Sequence, residues 1–157
     1  MTGGRTVRVA RRHAGLRMAR GGVAAAVRAL DEGAREIGGA CPPGELSVAL
    51  LSDRGLALLH GRFLGDPSAT DVITFPGDRA HGTAGEICVS VDAAARRAGR
   101  SGRRLSAELA LYIAHGWLHL AGFDDKAPAK RRAMRLAEGR ALRALGRRGA
   151  LPRFKLA

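Results

Sequence analysis

Two histidines, His115 and His119, stand four residues apart and are followed by Gly122, Asp124 and Asp125. On a helix, residues four apart lie about 40° apart around the axis and one turn apart along it, so two imidazoles at that spacing can face one cation. Gly122 tolerates the left-handed conformation that ends many helices, and a turn there swings the following carboxylates back toward the histidines. Two imidazoles and one carboxylate suit zinc, and three protein ligands leave a fourth position for water. The predicted ligands are His115, His119 and Asp125, holding one zinc per chain. Asp124 competes for the third place, and otherwise reads as a group that stabilises the turn or orients a ligand.

The spacing HxxxHxxGxxD follows that of the metzincin zinc proteases, with an aspartate where they carry a third histidine. Those enzymes place Glu directly after the first histidine as general base. Here that residue is Gly116, which disfavours peptide hydrolysis by the same route. Glu108 shares a helical face with His115, but two turns separate them, about 10 Å along the axis. It reads as a favourable charge near a helix N-terminus and not as a base. Trp117, Leu118 and Leu120 read as core residues.

Positioning this helix falls to elements with simple signatures. Residues 6–10 alternate like a short strand, and residues 23–37 carry an apolar helical face bounded by glycine pairs. Residues 46–51 read as a buried strand, and Ser52 or Asp53 can cap a short helix with Leu56, Leu59 and Phe63 on its apolar face. A loop is expected at Gly65, Asp66, Pro67 and Ser68, then strands at 72–75, stopped by Pro76 and Gly77, and at 87–89. Helices are predicted over 91–98, 105–121 and 128–145. Strands early and helices late give an α+β layer fold, with a sheet on one side and helices packed on it. No internal repeat or linker interrupts the chain, so one domain over residues 1–157 is expected.

The 157 residues carry 27 Lys and Arg against 14 Asp and Glu, a formal charge of +13, with 46% apolar residues. That apolar content excludes a disordered basic tail, and the charge points to a polyanionic partner. Arg96, Arg97, Arg100, Arg103 and Arg104 form one basic cluster, and Lys130, Arg131, Arg132 and Arg135 another. Aromatic residues are only 4%, so no stacking platform for bases is evident. Cys41 and Cys88 form no CxxC pair and read as free thiols of a reducing compartment. The longest mostly apolar run, residues 109–123, is too short for a bilayer, and the arginine-rich first twenty residues leave no signal-peptide core. A cytoplasmic protein without a membrane partner is expected.

Three blocks together resemble the YbeY-type endoribonucleases, bacterial rRNA maturation factors. HGWLHLAGFDD (residues 115–125) is similar to that family's HGxLHLxGxDH signature, TDVITFP (70–76) to its TDVLSFP segment and GEICVS (85–90) to its GDIxIS strand. The likeness runs over residues 45–145. It implies a small mixed β-sheet flanked by helices with a zincin-like metal helix, one zinc, and single-strand RNA cleavage in the cytoplasm. The implied partners are ribosomal RNA and the small ribosomal subunit, in 16S rRNA maturation and quality control. Carried over, His115 and His119 fill two metal positions and Asp125 takes the place of the family's third histidine. The family's activity-linked arginine falls on Leu64, with Arg62 two residues earlier. These two departures carry the alternative reading, a non-catalytic RNA-binding ribosome assembly factor.

Overall fold

Leu46, Val48 and Leu50 alternate with Ala49 and Leu51 along one strand, and both sets are buried. A strand apolar on both faces must be covered on both, which places it inside a sheet between layers. The computed structural model describes residues 4–64 and 71–157, with side chains for 4–61 and 71–157. The loop expected at Gly65, Asp66, Pro67 and Ser68 lies outside the described residues, as do Thr70 and the side chains of Arg62, Phe63 and Leu64.

In chain order the elements are β1 (Val7–Arg11), β2 (Leu16–Met18), α1 (Gly22–Glu32), α2 (Ala34–Ile37), β3 (Glu45–Leu51), α3 (Asp53–Leu64) and β4 (Val72–Pro76). A single 3-10 turn (Arg79–His81) leads to β5 (Thr83–Ser90), α4 (Val91–Ala98), α5 (Gly102–Leu120), α6 (Pro128–Arg147) and β6 (Phe154–Leu156). The main sheet has the order β1-β3-β5-β4. Strands β1, β3 and β5 run parallel, and β4 pairs antiparallel with β5 in the register Val72↔Val89 to Pro76↔Gly85. The mixed α+β sheet flanked by helices is as expected. The placement of every helix on one side is not. Leu56 of α3 packs with Ala49, Leu51, Ile73 and Cys88 on the face opposite the main core. The double-sided apolar pattern of β3 requires that second cover.

Helix α5 lies over the main face, with Leu109, Ile113, Trp117 and Leu118 in the core beside Val48, Ile87 and Val89. The Trp117 indole donates to Asp31 at 3.1 Å, and Arg5 clasps the same carboxylate at 2.9 and 3.0 Å. Trp117 and Leu118 are core residues, as read. Leu120 is half-buried and packs against the core edge.

Other departures have local causes. The helix expected over 23–37 breaks at Gly33, where a Cβ would stand 3.1 Å from that of Ala144 in α6. Ser101, whose Oγ accepts from the Arg104 amide at 3.2 Å, starts α5 three residues earlier than its apolar pattern. Ser52 caps α3 by accepting from the Gly55 amide at 3.1 Å. The paired strands β2 and β6 are three residues each, too short for alternation to register.

Candidate metal centre

Helix α5 presents the two imidazoles edge to face, with ring centroids 4.6 Å apart and Nε2 atoms 3.0 Å apart. The helix then ends in a Schellman turn: the Gly122 amide donates to the His119 carbonyl at 3.1 Å and the Phe123 amide to Leu118 at 3.0 Å. Gly122 takes φ 103°, a conformation a side chain would resist. The reversed chain brings Asp125 Oδ2 to 3.5 Å from His115 Nε2 and 3.8 Å from His119 Nε2. Asp124 points elsewhere. Its oxygens accept from the Lys126 amide and the Lys130 ammonium, each at 3.2 Å, and these bonds hold its carboxyl below the usual range. It is the turn-stabilising residue of the two.

The three donor atoms of His115, His119 and Asp125 lie within 4.8 Å of one another. Zinc bonds of about 2.0–2.1 Å in a tetrahedron hold donors roughly 3.3 Å apart. Separations of 3.0, 3.5 and 3.8 Å bracket that value, so the set fits a zinc-sized cation with little adjustment.

A fourth residue tunes the set and was not singled out in the sequence. Glu138 of α6 sits 2.6 Å from His115 Nδ1. Its carboxylate accepts the Nδ1 proton and leaves the Nε2 lone pair free for a metal. The available signal was compositional: Glu138 is the lone acid in a 20-residue helix otherwise rich in arginine. On His119, burial and the neighbouring His115 lower the imidazole's pKa, against a smaller upward pull from Asp125, Asp124 and the Phe123 backbone. The neutral, ligating form is therefore favoured.

Gly116 explains why no general base follows His115. A Cβ there would stand 2.4 Å from Ile87 Cγ2 of β5, so no glutamate fits without moving the helix off the sheet. His115, His119 and Asp125 border a cleft of about 630 Å³ whose walls include Val72 and Thr74 of β4, His60 of α3 and Tyr112 of α5. Tyr112 is 5% exposed, and among the described residues its hydroxyl has no partner; nor has Glu108 Oε2. Burial first, then Asp71 and Glu108, push the Tyr112 hydroxyl up to about 12.

The basic clusters divide. Arg96 pairs with Asp53 and Arg97 lies 3.5 Å from Asp71, whereas the side chains of Arg100, Arg103, Arg104, Arg132 and Arg135 have no acidic partner among the described residues. Cys41 and Cys88 are free and buried, their thiols pushed up to about 11 and about 12, mainly by burial. Among the described residues no helix is long and apolar enough to cross a membrane.

The family profile described as Endoribonuclease YbeY matches residues 22–146. The chain belongs to the YbeY family. The matched span begins before the 45–145 stretch legible by motif, taking in α1 and α2. The YbeY endoribonuclease of Anaeromyxobacter dehalogenans is 44% identical over 109 residues, covering 68% of this chain and 56% of that protein. That of Anaeromyxobacter sp. Fw109-5 is 41% identical over 109 residues, covering 68% and 57%. The chain thus spans a little over half the length of these curated relatives. The YbeY endoribonuclease of Chlamydia abortus is 39% identical over 116 residues, covering 68% and 73%. The solution structure of TM1509 from Thermotoga maritima shares the fold, with a TM-score of 0.52 and 22% identity over 92% of this chain and 95% of that one.

Proposed function

We propose that this YbeY-family chain is a zinc-dependent endoribonuclease that cuts single-stranded RNA, acting in the cytoplasm on 16S rRNA and in quality control of the small ribosomal subunit. The observation that carries the reading is the convergence of His115, His119 and Asp125 at separations suited to one zinc ion. Family membership and the charge of +13 support RNA as the substrate.

Bound zinc supplies a Lewis acid for a phosphoryl oxygen and lowers the pKa of coordinated water. The chain's own residues prepare that chemistry. His115 and His119 offer their Nε2 nitrogens, Glu138 sits against His115 Nδ1 at 2.6 Å and orients its ring, and Asp125 contributes a carboxylate. The charge of that carboxylate makes the site less electrophilic than three imidazoles would. Unpaired arginines supply cations for the phosphates.

Purified protein, made without chelator or histidine tag, is expected to carry about one zinc per chain and to cleave single-stranded RNA. His115→Ala and His119→Ala should abolish both. Undiminished cleavage by both variants would assign the activity to another site or a contaminant. Leu64 and Asp125, the two departures from the family pattern, favour a second reading: an assembly factor that binds the small subunit or its RNA without cutting. That reading predicts salt-sensitive binding with cleavage no faster than that of the double histidine variant.

A further inference from the structure

Strand β4 closes one side of the sheet, and among the described residues nothing pairs with its outer side. The Ser90 amide donates to the Asp71 carbonyl at 2.9 Å and the Gly77 amide to the Ala84 carbonyl at 3.2 Å. In an antiparallel ladder alternate residues bond across the pair, so Ile73 and Phe75 also face β5. The amides and carbonyls of Val72 and Thr74 therefore point outward, about 6.8 Å apart along the strand. Pro76, next in that outward series, has no N–H to offer.

Two clefts flank this edge. The first holds His115, His119 and Asp125; the second, about 580 Å³, is lined by Thr74, Pro76, Arg79, Pro42 and His119. Val72, Thr74 and His119 line both, so the two form one groove along β4 with the metal ligands partway along it. Arg79 stands in the second cleft on the 3-10 turn. Asp78 holds that turn, its carboxylate accepting from the Ala80 amide at 2.9 Å and bonding His81 Nδ1 at 2.7 Å. Arg79 is exposed and has no acidic partner among the described residues.

We propose that the open edge of β4 is the bed for a single RNA strand, with the outward amides of Val72 and Thr74 and the Arg79 guanidinium taking phosphates beside the metal ligands. The inference rests on the RNA-cleaving reading and adds the path of the strand. Charge complementarity selects the occupant: outward N–H groups and an unpaired arginine match phosphate oxygens, in a chain of formal charge +13. A peptide added as a fifth strand would need a continuous ladder, and Pro76, without an N–H, breaks it at the outward position after Thr74. The 2′-hydroxyls of RNA can instead use the outward carbonyls.

The test measures binding of a 12-nucleotide single-stranded RNA, its 2′-hydroxyls intact and its length checked on a gel after each titration, to the zinc-loaded protein as a function of salt. Arg79→Ala should weaken binding at least about fivefold and reduce the log–log salt slope by about 1. Thr74→Pro removes an outward N–H that carries no sheet bond, and should also weaken binding with zinc content unchanged. Arg17→Ala, an exposed position on β2 of the two-stranded sheet and outside both clefts, should leave the slope as in the wild type. RNA binding by the wild type with unchanged affinity in both groove variants would overturn the strand path alone. Equal losses in Arg79→Ala and Arg17→Ala would do the same, since they would reflect net charge without place. Absence of RNA binding by the wild type would overturn the RNA reading as well. Displacement of the RNA by an uncharged extended peptide would assign the edge to peptide and overturn the proposal.

Discussion

Glu138 lies 23 residues from His115 in the chain and 2.6 Å from its Nδ1 in space, so its effect on the metal site runs through the orientation of one ring. A carboxylate in that place fixes the tautomer and raises the basicity of the ligating nitrogen. Glu138→Gln keeps the shape but loses the charge, and Glu138→Ala loses both. Competition with a chelator should find zinc affinity down roughly tenfold in the first and up to about 100-fold in the second, within the range for such outer partners. Asp124→Ala should retain the metal, because Asp124 is bonded to Lys126 and Lys130 and not aimed at the histidines. The convergence of His115, His119 and Asp125 was legible because its geometry is local: i,i+4 on one helix, then a glycine turn. Glu138 was not, because its contact exists only through the packing of α6 against α5. Tyr112 belongs to the same class of unread residue. A buried hydroxyl without a partner costs about 1–3 kcal/mol, so Tyr112→Phe should leave the melting temperature unchanged or raise it. A clear fall would indicate that the hydroxyl binds a water or ligand the fold depends on.

Helix α5 reaches the sheet through two glycines at the end that carries the ligands. A Cβ on Gly116 would meet Ile87 Cγ2 at 2.4 Å, and one on Gly85 of β5 would meet Leu120 Cδ2 at 2.6 Å. Backbone-close packing of this kind fixes the height of both histidines above β4 and β5. Gly116→Ala gains about 1 kcal/mol of helix propensity but forces a methyl into a filled space, a change that typically costs 1–3 kcal/mol or more. Net destabilisation in urea unfolding is expected, and partial rescue in the Gly116→Ala/Ile87→Ala double variant would locate the clash, since touching residues are non-additive. Equal stability of Gly116→Ala and wild type would mean the helix can lift freely. Sequence pattern made the longer elements legible, with α4 correct at both ends. It could not reveal the break at Gly33, which depends on a methyl of Ala144 in a helix far along the chain. Nor could it reveal that α3 covers the second face of the sheet. The apolar residues on both faces of β3 carried that information, but a short apolar run reads the same whether one layer or two lie against it.

At the scale of the molecule, the excess of arginine was legible from composition while its distribution was not. Part of it is used inside the fold: Arg5 clasps Asp31 under Trp117, and Arg96 ties the last turn of α4 to the start of α3 through Asp53. With only 14 acids against 27 bases, each carboxylate that holds a structural contact matters more as the solution is acidified. Asp53 is such a group. The Arg96 guanidinium and the Ser90 hydroxyl, which donates at 2.7 Å, hold its carboxyl below the ordinary value of 3.8. Its amide also donates to Asp92 at 2.8 Å, and Asp92 in turn meets His13 at 2.8 Å, so the cluster joins the β1–β2 turn, α3 and α4. The sign follows from proton counting. The unfolded chain protonates Asp53 first as pH falls, so the stabilisation is complete above about 4 and is lost as pH drops through the lower folded value. Asp53→Asn keeps an acceptor for Ser90 and removes the charge. At pH 7 it should be less stable than wild type by up to about 1 kcal/mol, the usual ceiling for a partly exposed ion pair. That gap should narrow as the pH of urea unfolding is lowered from 7 to 3. A gap that persists undiminished at pH 3 would mean that Asp53 acts by shape and hydrogen bonding alone, with no contribution from its charge.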